Sequence, residues 1–353
     1  MINVFDITEF GAVGDGVTDC TEAVQKAFDA AKDCKGQVIV PPGTYAVKGD
    51  LKLRGEGVSL QGMSAWSYRN PGASAFILTN EKAECLIDIS GAFGCTVSGI
   101  SLDGQNLGEN IHGIRLTWPV ANGGGQEDTP NIEDCRISCF TGDGMHLNHV
   151  WCFSVRRNHV VSNRGAALRF SGWDAFITDN WFANNFDGGI ATNGYVASIT
   201  ATGNRVEWIK KGGFIIASGD SFNFTGNFFD RTFGPALKLG FNGGVVNLAS
   251  ITGNVFRRGG CHNGVPFEDA EMSSHVIMNG CTGCTLVGNT MKVGAGDGNV
   301  MPISPDFGMI IKNCEYCIIK DNAMHNGSML NNLIEENNKE CVIEGNIGCL
   351  FEG

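Results

Sequence analysis

The sequence predicts an all-β chain wound into a right-handed parallel β-helix, a solenoid whose N-terminal end is covered by one helix. The first observation is a repeat: eight asparagines follow short apolar runs at intervals of 22, 24, 23, 27, 35, 33 and 24 residues. They are Asn158, Asn180, Asn204, Asn227, Asn254, Asn289, Asn322 and Asn346. The second observation is that short alternating runs, bounded by Gly, Asn or Asp, fill each interval, as is typical of short strands. Such a repeat with strand content indicates stacked coils.

Each coil is expected to contain three strands and three turns, and successive coils to stack in parallel about 4.8 Å apart. An asparagine at the same turn of every coil can bond through its amide to the backbone of the neighbouring coils. Asparagine also tolerates the left-handed conformation that such a turn requires. We therefore interpret the eight asparagines as structural and not as part of a site.

Length and composition predict one domain over 1–353, with a cap and first strands at 1–50 and coils over 51–353. Long loops are expected at 103–129, 257–275 and 292–308. The net charge of −12, without a basic stripe, argues against nucleic acid as a partner. No apolar run has the length of a membrane span, so no membrane partner is expected. Fourteen cysteines and no secretory signal at the start favour a cytoplasmic location.

A helix is predicted after Asp19. Its apolar face consists of Ala23, Val24, Ala27, Phe28 and Ala31. Asp19 and Glu22 fit a capping box at its start. The first coil of a solenoid exposes open strand edges, and an amphipathic helix lying across it would cover that end.

The segment 10–19, the helix after it, and the run Val-Ile-Val-Pro-Pro-Gly-Thr-Tyr at 38–45 resemble the opening of the pectate-lyase-like superfamily. That group includes family 28 polygalacturonases, family 55 glucanases and phage tailspikes. The resemblance implies a carbohydrate ligand along the outside of the β-helix. The paired aspartates, Gly-His-Gly and Arg-Ile-Lys of the polygalacturonases are absent from this sequence, as are the calcium carboxylate clusters and arginine pattern of the main pectate lyases. Neither catalytic set is therefore carried over.

Aligning the coils on their asparagines places Glu207 and Asp230 in one outward column on adjacent coils. About 5 Å would separate them, which is the spacing of acid and nucleophile in retaining glycosidases. Two carboxylates at this distance raise one pKa, as a general acid requires. Asp187, which shares a further column with Lys211, is the third candidate catalytic residue. The candidate substrate-binding residues nearby are Trp208, Arg231, Lys211, and the outward column of His146, Arg169 and Lys238.

The long loops contain a second candidate set, because loops on a rigid scaffold commonly carry chemistry. Its members are Glu268, Asp269, Glu271, His275, Asp297 and Asp306. Glu268, Asp269 and Glu271 could instead bind calcium or be solvated. Asp143 lies in the run Thr-Gly-Asp-Gly-Met-His. We interpret it as a turn residue in preference to a catalytic residue. Two Cys-x-x-Cys pairs, at 281–284 and 314–317, have zinc-like spacing, but stacked repeats explain the same spacing as small apolar core residues. We expect no metal and no cofactor.

Three functions remain open. The first is a glycoside hydrolase or glycosyl-transferring enzyme with paired carboxylates, of which β-helical fructotransferases are a specific version. The second is a polysaccharide lyase or epimerase, in which Arg169, Arg231 or Lys238 neutralises a uronate carboxylate and a Lys or His removes the proton. The third is a non-catalytic, trimeric, tailspike-like glycan-binding protein. All three take an oligo- or polysaccharide partner, and a homotrimer is expected from analogy of fold alone.

Overall fold

The computed structural model describes residues 3–63, 67–118, 127–261 and 267–352. The chain forms two compact units, 1–181 and 182–353. Each is a stack of parallel coils, so the predicted all-β architecture is confirmed. The expectation of one domain over the whole chain stays a prediction. No helix among the described residues has the length and apolar character that crossing a membrane requires.

The first unit contains one α-helix, α1 (Thr21–Lys32), and one 3₁₀ turn (Ile7–Phe10). Its strands are β1 (Val4–Asp6), β2 (Asp15–Asp19), β3 (Gln37–Val40), β4 (Gly43–Val47), β5 (Leu51–Lys52), β6 (Ser59–Gly62), β7 (Ser74–Leu78), β8 (Cys85–Asp88), β9 (Thr96–Ser98), β10 (Ser101–Asp103), β11 (His112–Thr117), β12 (Asn131–Glu133), β13 (Arg136–Ser138), β14 (Met145–Trp151), β15 (Ser154–Arg156), β16 (His159–Val161) and β17 (Ala166–Thr178).

Parallel pairing between successive coils gives the first unit three faces, as the three strands per coil predict. Face 1 is β5, β8, β11, β14 and the start of β17. Face 2 is β1, β3, β6, β9, β12, β15 and the end of β17. Face 3 is β2, β4, β7, β10, β13 and β16. Strand β11 lies inside the predicted long loop 103–129, which is therefore interrupted by six residues of face 1; residues 119–126 of that loop lie outside the described residues.

Helix α1 contacts the 3₁₀ turn and strands β1, β3 and β5, which are the first strands of the unit. Val24, Ala27, Phe28 and Ala31 are buried in this contact, so the predicted N-terminal cap is confirmed. The capping box is not formed. Asp19 accepts from the Thr21 backbone N–H and hydroxyl, at 3.0 and 2.6 Å, and Glu22 pairs with Lys26 one turn on.

The second unit contains two 3₁₀ turns, Ala270–Met272 and Asp297–Asn299. Its strands are β18 (Trp181–Ala183), at whose first residue the first unit ends, β19 (Gly188–Thr202), β20 (Arg205–Glu207), β21 (Phe214–Ile216), β22 (Ser218–Thr225), β23 (Phe228–Asp230), β24 (Leu237–Leu239), β25 (Val246–Thr252), β26 (Val255–Arg257), β27 (Ser274–Asn279), β28 (Cys281–Thr282), β29 (Thr285–Val287), β30 (Thr290–Lys292), β31 (Phe307–Lys312), β32 (Ile318–Lys320), β33 (Ala323–Met324), β34 (Asn331–Glu336), β35 (Val342–Glu344) and β36 (Ile347–Gly348).

The second unit repeats the three faces. Its face 3 is β20, β23, β26, β30, β33 and β36, in parallel register. Face 1 runs from β19 through β21, β24, β27 and β31 to β34, and face 2 from β19 through β22, β25, β29 and β32 to β35. Two long connections leave this scaffold, 258–273 between β26 and β27 and 293–306 between β30 and β31.

The asparagines form hydrogen-bonded ladders in both units. Asn158 N–H donates to Asn180 Oδ1 at 3.0 Å in the first unit. In the second unit each rung from Asn204 to Asn322 donates its backbone N–H to the next asparagine's Oδ1 at 2.9–3.1 Å. The side-chain amide also donates to a carbonyl of the preceding coil, as Asn227 does to Ala201 at 2.9 Å. The structural role is therefore confirmed.

The left-handed residue of this turn is not the asparagine. It is the residue before it, with φ between 55° and 69° at Arg157, Asp179, Gly203, Gly226, Gly253, Gly288, Asp321 and Gly345. Glycine adopts this conformation without steric cost, which explains the recurring Gly-Asn. The expectation that asparagine itself takes this conformation was wrong. Its side chain is instead used for the ladder.

A column of cysteines lies parallel to the asparagine ladder. Cys284 and Cys317 are fully buried, and the Sγ of Cys284, Cys317 and Cys341 accepts a backbone N–H of the preceding coil at 3.4 Å. This confirms the inward column predicted from the sequence. All fourteen cysteines are free thiols.

Candidate active site

The candidate site lies on face 1 of the first unit, where charged side chains occupy the same outward position on four successive coils. Asp88 pairs in register with Arg115, Arg115 with His146, and His146 with Arg169. Neighbouring residues on these strands, such as Ile114 and Met145, are buried in the core, since side chains alternate along a strand. Parallel pairing therefore brings together residues that are 23 to 31 positions apart.

Asp143 lies in the turn just before β14 and points at this column. Its Oδ2 accepts from His146 Nδ1 at 2.8 Å, and its Oδ1 accepts from the Ala166 backbone N–H at 2.7 Å. The side chain is only 5% exposed. Asp143 therefore lies in a turn, as predicted, and also forms a hydrogen bond with His146, three residues further along the chain.

Two more cations or bases meet the same carboxylate. Arg169 Nε donates to both oxygens of Asp143 at 3.1 Å. His112 lies on the other side, with its ring centre 4.4 Å from that of His146, and its Nδ1 accepts from the Asp143 backbone N–H at 3.0 Å. Because Asp143 accepts from His146 Nδ1, the neutral His146 has its proton on Nδ1, and Nε2 is left as the basic nitrogen.

The charge state of the cluster follows from burial and these bonds. Burial alone would raise the pKa of Asp143, but the hydrogen bond from His146 and the charge of Arg169 outweigh it and lower that pKa, so Asp143 is a permanent carboxylate. Burial lowers the pKa of His112 to about 4, so His112 is neutral at pH 7. Asp143 therefore orients the His146 ring through the Nδ1 hydrogen bond and does not itself act as an acid.

Arg115 completes the column on the N-terminal side. It pairs with Glu84 and, at 3.2 Å, with Asp88, which also pairs with Arg54 at 3.3 Å. Burial would lower the pKa of Arg115, but its bonds to Glu84 and Asp88 raise it instead. Among the described residues, His146 thus lies between two arginines along the axis of the unit.

His112, Asp143 and His146 also offer three ligand atoms within 4.8 Å of one another, a set that could contact a metal ion. The bonding disfavours it, however. His112 Nδ1 already accepts a backbone N–H, and both Asp143 oxygens accept from Arg169. A metal would have to displace a positive guanidinium from the carboxylate, so these residues fit an acid–base pair better than a metal centre.

Aromatic rings follow on the same coils. Trp151 is the last residue of β14 and is in register with Trp173 of β17. Their ring centres are 5.4 Å apart. Trp118 Nε1 donates to Asp128 at 2.7 Å, and its ring stacks on Phe93 at 5.8 Å. Aromatic faces with a fixed orientation offer stacking surface for sugar rings.

The predicted carboxylate pair lies in the second unit. Glu207 and Asp230 are in register on β20 and β23, so the prediction that they stack on adjacent coils is confirmed. The prediction that they face outward to solvent is wrong, because both are 1% exposed. Asp230 is bound by Arg258 at 2.5 and 2.7 Å and by Arg231 at 2.9 Å, and Glu207 by Arg205 at 3.0 Å. Their catalytic role stays a prediction.

The other predicted residues are spread over the second unit. Asp187 pairs with Lys211 at 2.8 Å. Lys238 has Ile215 and Ile277 as register neighbours, and its Nζ lies 3.4 Å from Met272 Sδ. Of the predicted column, His146 and Arg169 are in register within the first unit, preceded by Arg115, and the place of Lys238 in it stays a prediction.

The long-loop candidates do not converge on one site. Glu268 and Asp269 are exposed, and Asp269 caps the 3₁₀ turn by accepting from Glu271 N–H at 3.0 Å. Asp306 is half-buried, and its backbone N–H donates to Ser273 Oγ at 3.0 Å. His275 was predicted to bind substrate. It is the second residue of β27 and is fully buried beside Phe256, where a ligand on the surface does not reach it, and burial lowers its pKa to about 3.

Sequence reasoning missed three residues of these clusters, His112, Arg115 and Arg258. His112 and Arg115 belong to coils that precede Asn158, where Cys135 takes the rung position and its N–H bonds Asn158 Oδ1. Without an asparagine to mark the turn, those coils could not be aligned. For Arg258 a signal existed, since it follows Asn254 by four residues, as Arg231 follows Asn227.

Comparisons with known proteins agree with this architecture. A family model described as right handed beta helix region matches residues 143–297, which confirms the predicted handedness. In structure, the chain resembles the DFA-IIIase of Arthrobacter chlorophenolicus A6, with a TM-score of 0.61, 12% identity and coverage of 97% of this chain and 96% of that one. At that identity the likeness shows the fold alone.

Two curated relatives are similar over parts of the chain. A probable rhamnogalacturonase C of Aspergillus flavus is 37% identical over 83 residues, 23% of this chain and 18% of that protein. The mannuronan C5-epimerase AlgE6 of Azotobacter vinelandii is 27% identical over 203 residues, 53% of this chain and 22% of that protein. The chain thus spans about a fifth of the length of each. The family model described as rhamnogalacturonase A/epimerase, pectate lyase-like, matches residues 2–214, more than half of the sequence. The chain therefore belongs to the rhamnogalacturonase A/epimerase, pectate lyase-like family.

Proposed function

We propose that the chain acts on a uronate-containing polysaccharide lying along face 1 of the first unit, and that it removes the proton next to the uronate carboxylate. This is the first step of a polysaccharide lyase or of an epimerase. The observation that carries the proposal is the position of His146: its Nδ1 is fixed by the ionised Asp143 at 2.8 Å, and arginines precede and follow it in register.

The steps follow from the roles of these groups. His146 Nε2 takes the proton from the carbon beside the carboxylate, and Asp143 stabilises the imidazolium that forms. Positive charge from Arg169 stabilises the negative charge that moves onto the carboxylate oxygens. In a lyase, the electron pair then expels the glycosidic oxygen, which takes up a proton from solvent, and leaves a double bond. In an epimerase, a proton from solvent is added to the same carbon on the opposite face.

A hydrolase with paired carboxylates is less well supported by the geometry. Burial would raise the pKa of Asp143 and of Asp88, but hydrogen bonds from His146 to Asp143 and from Ser90 to Asp88, together with the charges of neighbouring arginines, outweigh it and lower both pKa values. Neither is suited to donate a proton. Glu207 and Asp230 are buried under arginines, where a sugar does not reach them without displacement of those side chains.

The comparisons support the proposal only in part. The family description includes an epimerase and is pectate lyase-like, and the Azotobacter relative is named a mannuronan C5-epimerase, a name that refers to a uronate polymer. The Aspergillus relative is named a rhamnogalacturonase and favours the hydrolase alternative. That the substrate of this chain is a uronate polymer is therefore part of our proposal.

The test uses the variant His146→Gln with His149→Asn as the matched control, since His149 lies on the same strand at a positive φ of 58° that asparagine tolerates. Polygalacturonate and polymannuronate are supplied, and three readouts are taken: ultraviolet absorbance of unsaturated sugar, deuterium incorporation from D₂O, and reducing ends. We expect H146Q to lose roughly 10²–10⁴-fold in kcat, and H149N to retain activity. Reducing ends without absorbance or deuterium, abolished by Glu207→Gln or Asp230→Asn, would instead establish the hydrolase.

A non-catalytic, tailspike-like glycan-binding role is the remaining alternative. It requires that all three readouts stay at background while a polymer binds. A homotrimer and a cytoplasmic location also stay predictions, and a monomer mass by gel filtration would remove the first.

A further inference from the structure

A second cluster of arginines, in the second unit, has no role in the proposed reaction. Arg231 and Arg258 occupy the same turn of adjacent coils, just after β23 and β26, and Trp208 occupies that turn one coil earlier. All three adopt left-handed backbone conformations, with φ of 53°, 56° and 53° at Trp208, Arg231 and Arg258. Large side chains at such positions cost backbone energy that glycine would avoid.

The guanidinium groups of Arg231 and Arg258 each contact two carboxylates, an inner one and an outer one. On the inner side, Arg258 binds Asp230 through Nε and Nη2, and Arg231 binds Asp230 through Nη2. On the outer side, the Nη1 atoms of both arginines meet one carboxylate, that of Asp297, from Arg258 at 3.3 Å and from Arg231 in a closer contact. Two arginines that converge on a single carboxylate form a site with the geometry of carboxylate recognition.

The outer carboxylate differs from the inner ones in its exposure. The Asp297 side chain is 62% exposed and comes from the long connection 293–306, whereas Arg231 and Arg258 are 14% and 10% exposed. Arg231 and Arg258 share the inner carboxylate of Asp230, and Arg231 lies 3.8 Å from that of Glu207. Asp297 is thus a second carboxylate that both guanidinium groups contact, and it is an exposed loop side chain.

A cavity of about 120 Å³ adjoins this position. Its wall includes Trp208, Phe233, Met301 and Ser304. Arg231 lies 4.0 Å over the Trp208 ring, which orients both side chains. Arg231 Nε and the Oγ of Ser304, which is 2% exposed, have no hydrogen-bond partner among the described residues. Buried polar atoms of this kind are usually paired, so a ligand oxygen in the cavity would complete the site.

We propose that Arg231 and Arg258 bind the carboxylate of an acidic sugar, that Asp297 occupies this position in the absence of the ligand, and that Trp208 contacts the sugar ring. The site is distinct from the His146 cluster, and it rests on the proposed function only for the choice of a uronate as ligand. The sugar carboxylate replaces the Asp297 carboxylate at the two Nη1 atoms. This exchange of ion pairs includes no covalent step. An alternative is that Asp297 solely fastens its loop.

The two readings differ in what happens when Asp297 loses its charge. If Asp297 competes with the ligand, Asp297→Asn binds trigalacturonate more tightly, by roughly tenfold, because one charged partner of the arginines is removed. If Asp297 only fastens the loop, the variant binds no more tightly than the unchanged protein, and the proposal is wrong. Glu335→Gln is the matched control, since Glu335 is an exposed carboxylate of the same unit, on β34.

Binding is measured by calorimetry with trigalacturonate, its methyl ester and acetate as probes. We expect the methyl ester to bind more weakly than trigalacturonate. Acetate should compete with trigalacturonate for the two arginines. Trigalacturonate should also change tryptophan fluorescence in the unchanged protein and not in Trp208→Phe. Equal affinity for acid and ester would overturn the proposal.

Activity separates this inference from the proposed function. His146→Gln should leave trigalacturonate binding at the Arg231–Arg258 site and its enhancement by D297N unchanged. If no uronate polymer is turned over but D297N still tightens binding, the proposed function fails and the second site stands. If H146Q abolishes turnover and D297N has no effect on affinity, the reverse holds.

Discussion

The replacement Asn254→Ala removes one complete rung of the asparagine ladder. Asn254 Oδ1 accepts from the backbone N–H and the side-chain amide of Asn227, at 2.9 and 3.0 Å. Its Nδ2 donates to Phe224 O at 2.9 Å and to Asn289 Oδ1 at 3.0 Å. Alanine makes none of these bonds, while the backbone bond from Asn254 N–H to Asn289 Oδ1 is retained.

The magnitude follows from what is left without a partner. The Asn227 backbone N–H and side-chain amide are 1% exposed, so water does not replace the lost acceptor. Each unsatisfied buried group costs about 1–3 kcal/mol, so the variant should lose about 3 kcal/mol or more of unfolding free energy. The effect should be concentrated at the two coils that contact the rung, because a solenoid unfolds partly by segments.

Urea denaturation followed by circular dichroism measures the loss, and hydrogen exchange of the Asn227 amide locates it. Asn193→Ala is the control, because Asn193 is exposed on β19 of the same unit and does not have a left-handed backbone; we expect a change below about 0.5 kcal/mol. If N254A is no less stable than N193A, the ladder contributes nothing measurable and the reasoning fails.

Three further outcomes are expected. Gly253→Ala should cost about 1 kcal/mol by urea denaturation, because the residue has φ of 65° and nothing lies within 4 Å of an added Cβ, so backbone strain acts alone; an unchanged midpoint would contradict this. Acid should destabilise the fold, because burial lowers the pKa of His112 and His159 to about 4 and of His275 to about 3. The unfolded chain takes up these protons first, so the stabilisation is complete above about pH 6.5 and is lost as pH falls toward 4; a urea midpoint that is flat between those values would refute it. Asp143→Asn should lower kcat on a uronate polymer by roughly 10²-fold or more, because His146 loses the carboxylate that accepts from its Nδ1 and orients its ring, whereas Asp103→Asn, at the half-buried last residue of β10, should not.

The regular repeat made the fold predictable. Where the repeat is interrupted by long connections, the contacts of the site residues could not be predicted. Glu207 and Asp230 were correctly placed in one column because both follow a ladder asparagine by three residues. Their burial could not be predicted, since it depends on Arg258 and on Asp297, which reaches the cluster from a long connection. A repeat sets the register of strands and says nothing about where its loops fold back.

The His146 cluster shows the same limit from the other side. The column of His146 and Arg169 was predicted from the spacing, and the structure confirms that these two are in register. Arg115 and His112 were not recognised, because their coils contain no ladder asparagine and because β11 lies in a segment that reads as loop. Asp143 was interpreted as a turn residue, and its turn is also what aims the carboxylate at His146.

The ladder also separates what is constant in this protein from what can vary. Within the second unit the intervals between rungs range from 23 to 35 residues, yet the rung-to-rung bonds stay within 2.9–3.1 Å. Extra residues are absorbed in the connections 258–273 and 293–306, away from the asparagine turn. Such a chain can acquire new recognition segments one coil at a time while its architecture is inherited unchanged. A designer could therefore exchange either connection for another of different length and expect the coils beside it to assemble as before.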